Sequence, residues 1–154
     1  MKSLTFLALA SVLVGAAAPA QAPMNNADIK WAPAAAAGFP AGGEMAVLSG
    51  DPTKQGLFTV RLRMPPGYTV APHWHPTDEL VTVVEGNLSL GMGDAVDKTK
   101  SASLAAGGYA VAPAKMHHYA YAGDQGATVQ VTAMGPFAIT YVNPKDDPRA
   151  KPAQ

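Results

Sequence analysis

The sequence predicts an all-β domain, a sandwich or barrel of many short strands. Three observations predict it. Apolar and polar residues alternate over short runs, most cleanly from Leu57 to Met64, where Phe58, Val60, Leu62 and Met64 share one face and Thr59, Arg61 and Arg63 the other. Turn clusters such as Ser49-Gly50-Asp51-Pro52 and Pro65-Pro66-Gly67 separate these runs. Beyond the N-terminal segment, no stretch carries a helical period. Domains of this kind hide their strand edges in closed barrels or double-sheet jelly rolls.

The first 22 residues have the form of a signal peptide. Met1-Lys2 supplies a positive start, Leu4 to Val14 an apolar run, and Ala20-Gln21-Ala22 a small-residue cleavage site. The run is too short to span a bilayer, and no cysteine is present to carry a lipid. The expectation is a mature chain beginning near Pro23, periplasmic or secreted, with no membrane contact after cleavage. Lysines and arginines balance aspartates and glutamates, 11 against 11, so no basic stripe exists to release phosphate counterions, and nucleic acid is not expected as a partner. With no cysteine there is neither a disulfide nor thiolate chemistry, and any metal must sit on histidine and carboxylate.

Residues 23–43 are rich in Pro, Ala and Gly and are expected to form an extended arm, with Trp31 and Phe39 as its large anchors. An arm of this kind lies across its own domain or a partner's, and the residues do not decide which. Residues 44–142 are expected to form the barrel. Its expected strands are Met45 to Leu48, Leu57 to Met64, Val70 to His75, Leu80 to Glu85, Leu88 to Met92, Ser101 to Leu104, Tyr109 to Ala112, His118 to Tyr121, Ala127 to Ala133 and Phe137 to Val142. Gly86-Asn87 and Asp124-Gln125-Gly126 are expected to be turns between strands. The polar tail, 143–154, is expected to be extended and exposed.

All four histidines fall in two places: His73 with His75, and His117 with His118. His73 and His75 are two residues apart, so on a strand both rings leave the same face. Glu79 follows a short break, Pro76-Thr77-Asp78, and begins the next apolar run. A lone histidine is usually a solvated or core residue. A strand-spaced pair, a nearby glutamate and a second histidine-bearing strand start instead match a mononuclear metal site. His117 and His118 are adjacent and should not both ligate, because neighbouring strand residues face opposite ways.

The first stretch resembles the first motif of the cupin superfamily, G-x5-H-x-H-x3-E-x6-G, with Gly67, His73, His75, Glu79 and Gly86 all in place. The second cupin motif, G-x5-P-x-G-x2-H-x3-N, is matched in part by Gly107 and Pro113, and the same spacing then places its histidine at His118. Lys115 stands where that motif has glycine, and Ala122 where it has asparagine, which bears on turn geometry and on the groups behind the ligands. The resemblance implies a small double-stranded β-helix or jelly-roll barrel. It also implies one divalent transition metal on His73, His75, Glu79 and His118. Three imidazoles and a carboxylate on a six-coordinate ion suit Fe, Mn, Ni or Co and tolerate Cu or Zn.

The expected activity is that of a metal-dependent enzyme, oxygenase-like, acting on a small organic molecule such as an enol or phenol. Isomerase, decarboxylase and lyase chemistry stay open. Glu79 doubles as a candidate base. His117 is placed at the barrel mouth or outer surface, with proton transfer as its sharper role. The alternatives are a non-catalytic binding or sensing module, motivated by the lack of a dedicated acid–base residue beside the ligands, and a metal that serves stability alone. Asp78 is expected to satisfy turn amides, Trp74 to pack away from the site, and Arg61 and Arg63 to face solvent or a partner. Lys115 is expected to be a solvated turn residue that could draw anions. Met64, Leu88, Leu90, Met92 and Val111 are candidate pocket walls. The Trp31-bearing arm and an apolar outer sheet predict a homodimer.

Overall fold

The computed structural model describes residues 22–150; the expected signal peptide lies almost entirely outside them, as do the last four residues. Nine strands follow one another: β1 (Ala32–Pro33), β2 (Glu44–Ser49), β3 (Gly56–Met64), β4 (Thr69–Trp74), β5 (Glu79–Met92), β6 (Ala102–Ala105), β7 (Tyr109–Ala112), β8 (His118–Gly135) and β9 (Thr140–Tyr141). Only short 3-10 turns accompany them among the described residues. The fold is the double-stranded β-helix expected from the sequence.

Its framework is an antiparallel ribbon of two long strands, β5 and β8. Each serves two half-sheets. Along one half the order is β1-β2-β3-β8-β5-β7, using residues 127–135 of β8 and 79–86 of β5. Along the other it is β9-β4-β8-β5-β6, using residues 118–122 of β8 and the far end of β5. The two halves close on one apolar core. Phe58, Val60, Leu62 and Met64 of β3 are all buried in it, as their period of two requires, together with Val81, Val83, Val129, Val131, Val70 and Leu88. Each such side chain contributes about 1.5–3 kcal/mol relative to exposure.

The ribbon bends where the sequence predicts turns. Gly86-Asn87 does not end a strand; β5 runs through it with register shifts on either side. Residues 123–126 of β8 likewise stay within the strand, between Ala122, which pairs with Leu88, and Ala127, which pairs with Gly86. Both are bulges. The local signal is the same as for a turn, because a bulge also uses glycine at positive φ: Gly86 has φ 71° and Gly126 φ 77°. A Cβ on Gly86 would lie 2.1 Å from the carbonyl oxygen of Gly126, so the two backbones can approach only without a side chain there.

The arm lies across its own barrel. Its outer part crosses the solvent face of β3, where the Arg63 guanidinium sits 4.0 Å from the Trp31 ring centre and Arg61 donates to the Asn26 side chain at 2.9 Å. Its inner part turns over the barrel mouth. There Tyr141 donates its hydroxyl to the Gly38 carbonyl at 3.0 Å, and Tyr68 donates to the Pro40 carbonyl at 2.5 Å. The tail is not simply extended. It forms two 3-10 turns, and Arg149 donates to the Ile139 carbonyl at 2.9 Å while packing against Gly38. Of the run from Phe137 to Val142, only Thr140–Tyr141 pairs as a strand.

Candidate metal centre

Three strand ends build the site. His73 is near the end of β4, His75 lies just beyond it, Glu79 opens β5 and His118 opens β8. His73 and His118 are direct cross-strand partners. The ligand atoms offered by His73, His75 and His118 lie within 4.8 Å of one another, all three residues buried. Oε2 of Glu79 is 3.6 Å from Nε2 of His75 and 3.4 Å from Nε2 of His118. The structure thus brings together all four residues that the sequence proposed as ligands.

Backbone carbonyls fix the rings. Nδ1 of His73 donates to Ala71 at 2.7 Å, Nδ1 of His75 to Ala138 at 2.8 Å and Nδ1 of His118 to Met116 at 3.0 Å. A carbonyl can only accept, so the hydrogen sits on Nδ1 and the lone pair on Nε2. His75 is further clamped by Phe137, whose ring stacks on it at 4.2 Å. Nε2 of His75 and Nε2 of His118 are buried without a hydrogen-bond partner. Leaving such atoms unpaired costs about 1–3 kcal/mol each. Convergent lone pairs of this kind, beside a carboxylate, are the donor set of a divalent transition metal, and the residues fit one.

The electrostatics agree. Burial pushes the pKa of His73 down to about 3, helped by the neighbouring His118 and His75. Burial also lowers that of His75, against the opposing pull of Glu79. For Glu79 burial works against ionisation, but the facing His118, then His75 and His73, outweigh it and hold the carboxyl below its ordinary value. Neutral imidazoles and an ionised carboxylate are the protonation states that ligation needs.

The two histidine turns are tied together. Asp78 accepts from the backbone N–H of Ala114 at 2.7 Å, the amide-satisfying role expected of it, and the Lys115 N–H donates to the His75 carbonyl at 2.8 Å. Lys115 is exposed and has φ 62°, the left-handed conformation for which the second motif has glycine. His117 points elsewhere: its ring bonds Asp94 at 2.6 Å, outside the three-histidine group.

Two cavities adjoin Glu79. One, of about 30 Å³, is lined by His73, Glu79 and His118 with Met64, Leu88 and Leu90 among its apolar walls. The other, of about 130 Å³, reaches from Glu79 past Phe58 and Phe137 to Ala37, Pro52 and Thr53. Met92 and Val111, candidate walls from the sequence, line neither and are 44% and 40% exposed: Val111 falls on the outward phase of β7, while Met92, in phase with Leu88 and Leu90, is the last residue of β5. Sequence reasoning missed Phe39, which lines both cavities from the arm. It also missed Phe137, the ring that holds His75. Neither residue lies in a motif; their only signal was aromatic size in a polar or Pro-rich stretch.

Residues 20–138 match the model of a family described as the ChrR cupin-like domain. Germin-like protein 9-3 of Oryza sativa subsp. japonica is 32% identical over 122 residues, 79% of this chain and 52% of that protein, so the chain spans about half the length of this curated relative. The polyketide cyclase RemF of Streptomyces resistomycificus shares the fold with a TM-score of 0.68 at 17% identity, over 84% of this chain and 90% of that one. An RmlC-like cupin from Shewanella frigidimarina does so with a TM-score of 0.57 at 18% identity, over 75% and 91%.

Proposed function

This chain belongs to the ChrR cupin-like family, and from that premise we propose that it is an exported mononuclear metal-binding cupin that transforms a small organic molecule, with oxygenase-type chemistry. The observation that carries the reading is the pair of buried, unpartnered Nε2 atoms of His75 and His118, converging with His73 and Glu79. His73, His75, His118 and Glu79 would hold the ion. A bound divalent metal supplies Lewis acidity, and a redox-active one also supplies electron transfer.

The chain's own residues do the rest. The carbonyls of Ala71, Ala138 and Met116 orient the imidazoles. Apolar walls exclude water and strengthen every charge interaction within. Glu79 Oε2 is the acceptor best placed to take a proton from a substrate hydroxyl, since its carboxyl is ionised and faces both cavities. The test is elemental analysis of the exported protein, followed by oxygen uptake with Fe(II), Mn(II), Co(II) or Ni(II) and a panel of phenols and enols. Metal at one equivalent with substrate-dependent uptake supports the reading; absence of bound metal overturns it.

A second reading is a metal-dependent binding or sensing module. It is favoured by the sparse chemistry of the cavity walls, where Thr53 is the sole polar side chain among the described residues besides the candidate ligands. Tight binding without turnover across those metals would select it.

We also propose a homodimer. Leu57, Met134, Leu80, Val111 and Tyr109 are exposed apolar side chains on β3, β8, β5 and β7, and a second copy would cover them. Light scattering should give twice the chain mass, and Leu57→Lys should reduce it to one.

A further inference from the structure

Phe39 comes from the arm, yet it walls both cavities at Glu79. The other residues common to both are Leu62, Glu79 and Val131, all on the strands of the barrel itself. Phe39 is not loosely placed. The carbonyls on either side of it, Gly38 and Pro40, each accept a buried tyrosine hydroxyl, and its own N–H donates to Ala34 at 3.3 Å. Burial raises the pKa of both phenols, that of Tyr68 to about 12, so neither hydroxyl loses its proton near neutrality. The opposite rim is fixed as well: the Pro52 carbonyl accepts from the Phe137 N–H at 2.7 Å, and Asp51 braces Thr53.

The space this leaves has a definite size and polarity. A dry apolar cavity of about 150 Å³ accepts benzene, so about 130 Å³ is room for one six-membered ring and not two. Among the described residues, no lysine or arginine lines either cavity. A second carboxylate held in the larger cavity, away from the histidines, would therefore be buried without a partner, which costs several kcal/mol.

We propose that Phe39 is the specificity-determining residue of the barrel, limiting its ligand to a molecule of one ring or less, while the uncharged walls around it favour a neutral or singly anionic one. The oxygen end of that ligand lies toward Glu79 and the histidines, and its apolar body lies against Phe39 and Phe137. The placement of the oxygen end rests on the preceding functional reading; the size limit rests on the cavity alone.

Calorimetric titration of the full chain, metal-free and loaded with Co(II), tests this with phenol, 2-naphthol, benzoate and phthalate. Phenol should bind about tenfold or more tighter than 2-naphthol, and benzoate similarly tighter than phthalate. Phe39→Ala should admit 2-naphthol, and Phe39→Trp should weaken phenol by a like factor. The Trp variant keeps the question open to disproof if the Ala variant fails to fold. Equal binding of phenol and naphthol in the wild type, or a ratio that residue 39 does not move, overturns the assignment. The two readings fail separately. A size ranking that follows residue 39 with no Co(II) absorption signature would sink the metal reading alone. Co(II) bound with a ranking indifferent to residue 39 would sink this one alone.

Discussion

Asp78, in the first histidine turn, accepts a hydrogen bond from the backbone N–H of Ala114, in the second, at 2.7 Å. The bond crosses between the segment that carries His75 and Glu79 and the segment that leads to His118. It therefore fixes the separation of the donor groups without touching any of them.

Asp78→Ala should cost about 1 kcal/mol in urea unfolding, since the carboxylate is exposed. Its effect on metal affinity should be larger in proportion, about tenfold, because a positioning bond is lost. Asp78→Asn keeps an acceptor and should fall between. Unchanged affinity in Asp78→Ala would mean that the two turns hold their spacing by other means.

His118→Ala removes one of the two unpartnered nitrogens. In the wild type, a metal at 100 times its dissociation constant should raise unfolding free energy by about 2.7 kcal/mol. In the variant, the same metal concentration should add almost nothing. If metal serves stability only, the variant should show the same loss, but water relaxation with Mn(II) on the wild type should detect no exchangeable water. Such relaxation is expected on an open site.

The metal-free protein should lose stability in acid through its histidines. The folded-state pKa of His73 is depressed from 6.5 to about 3, and that of His75 is depressed too. The unfolded chain therefore binds more protons in this range, and the stability of the neutral, buried rings is present above about 6.5 and lost as pH falls toward 3. Melting temperature measured from pH 7 to pH 4 in chelator should fall, and His73→Phe should flatten the slope. A flat wild-type profile would contradict the burial described for His73.

Two backbone positions should respond in opposite directions. Lys115 holds a left-handed φ of 62°, so Lys115→Gly should stabilise the fold by about 1 kcal/mol. Gly86 combines φ 71° with a Cβ position 2.1 Å from the Gly126 oxygen. Gly86→Ala should destabilise by about 2–3 kcal/mol or more. Chemical denaturation of both variants checks the pair.

The candidate ligands were legible because a metal site imposes spacing that survives in one dimension: His73 and His75 share a strand phase, and Glu79 follows a short turn. The same logic separated His118 from His117, whose ring is directed to Asp94. The bends of β5 and β8 were misread as turns, since Gly86 and Gly126 present the same positive-φ signal in a bulge as in a hairpin. Phe39 and Phe137 were illegible as site residues. Their roles depend on how an irregular arm and a broken segment lie on the barrel, and no periodicity encodes that.

The two-stranded ribbon has a further consequence. Glu79 stands at one end of β5, and His118 pairs with Met92 at the other. Laid straight, fourteen residues would hold those ends about 40 Å apart. They meet at 3.4 Å. The contact between Glu79 and His118 is thus the clasp of the barrel, formed only when the ribbon has doubled back on itself. An ion gripped there would fasten the two ends of the folded ribbon to each other. Because the unfolded ribbon holds these groups far apart, such an ion binds the closed barrel alone and stabilises it increasingly as its concentration rises.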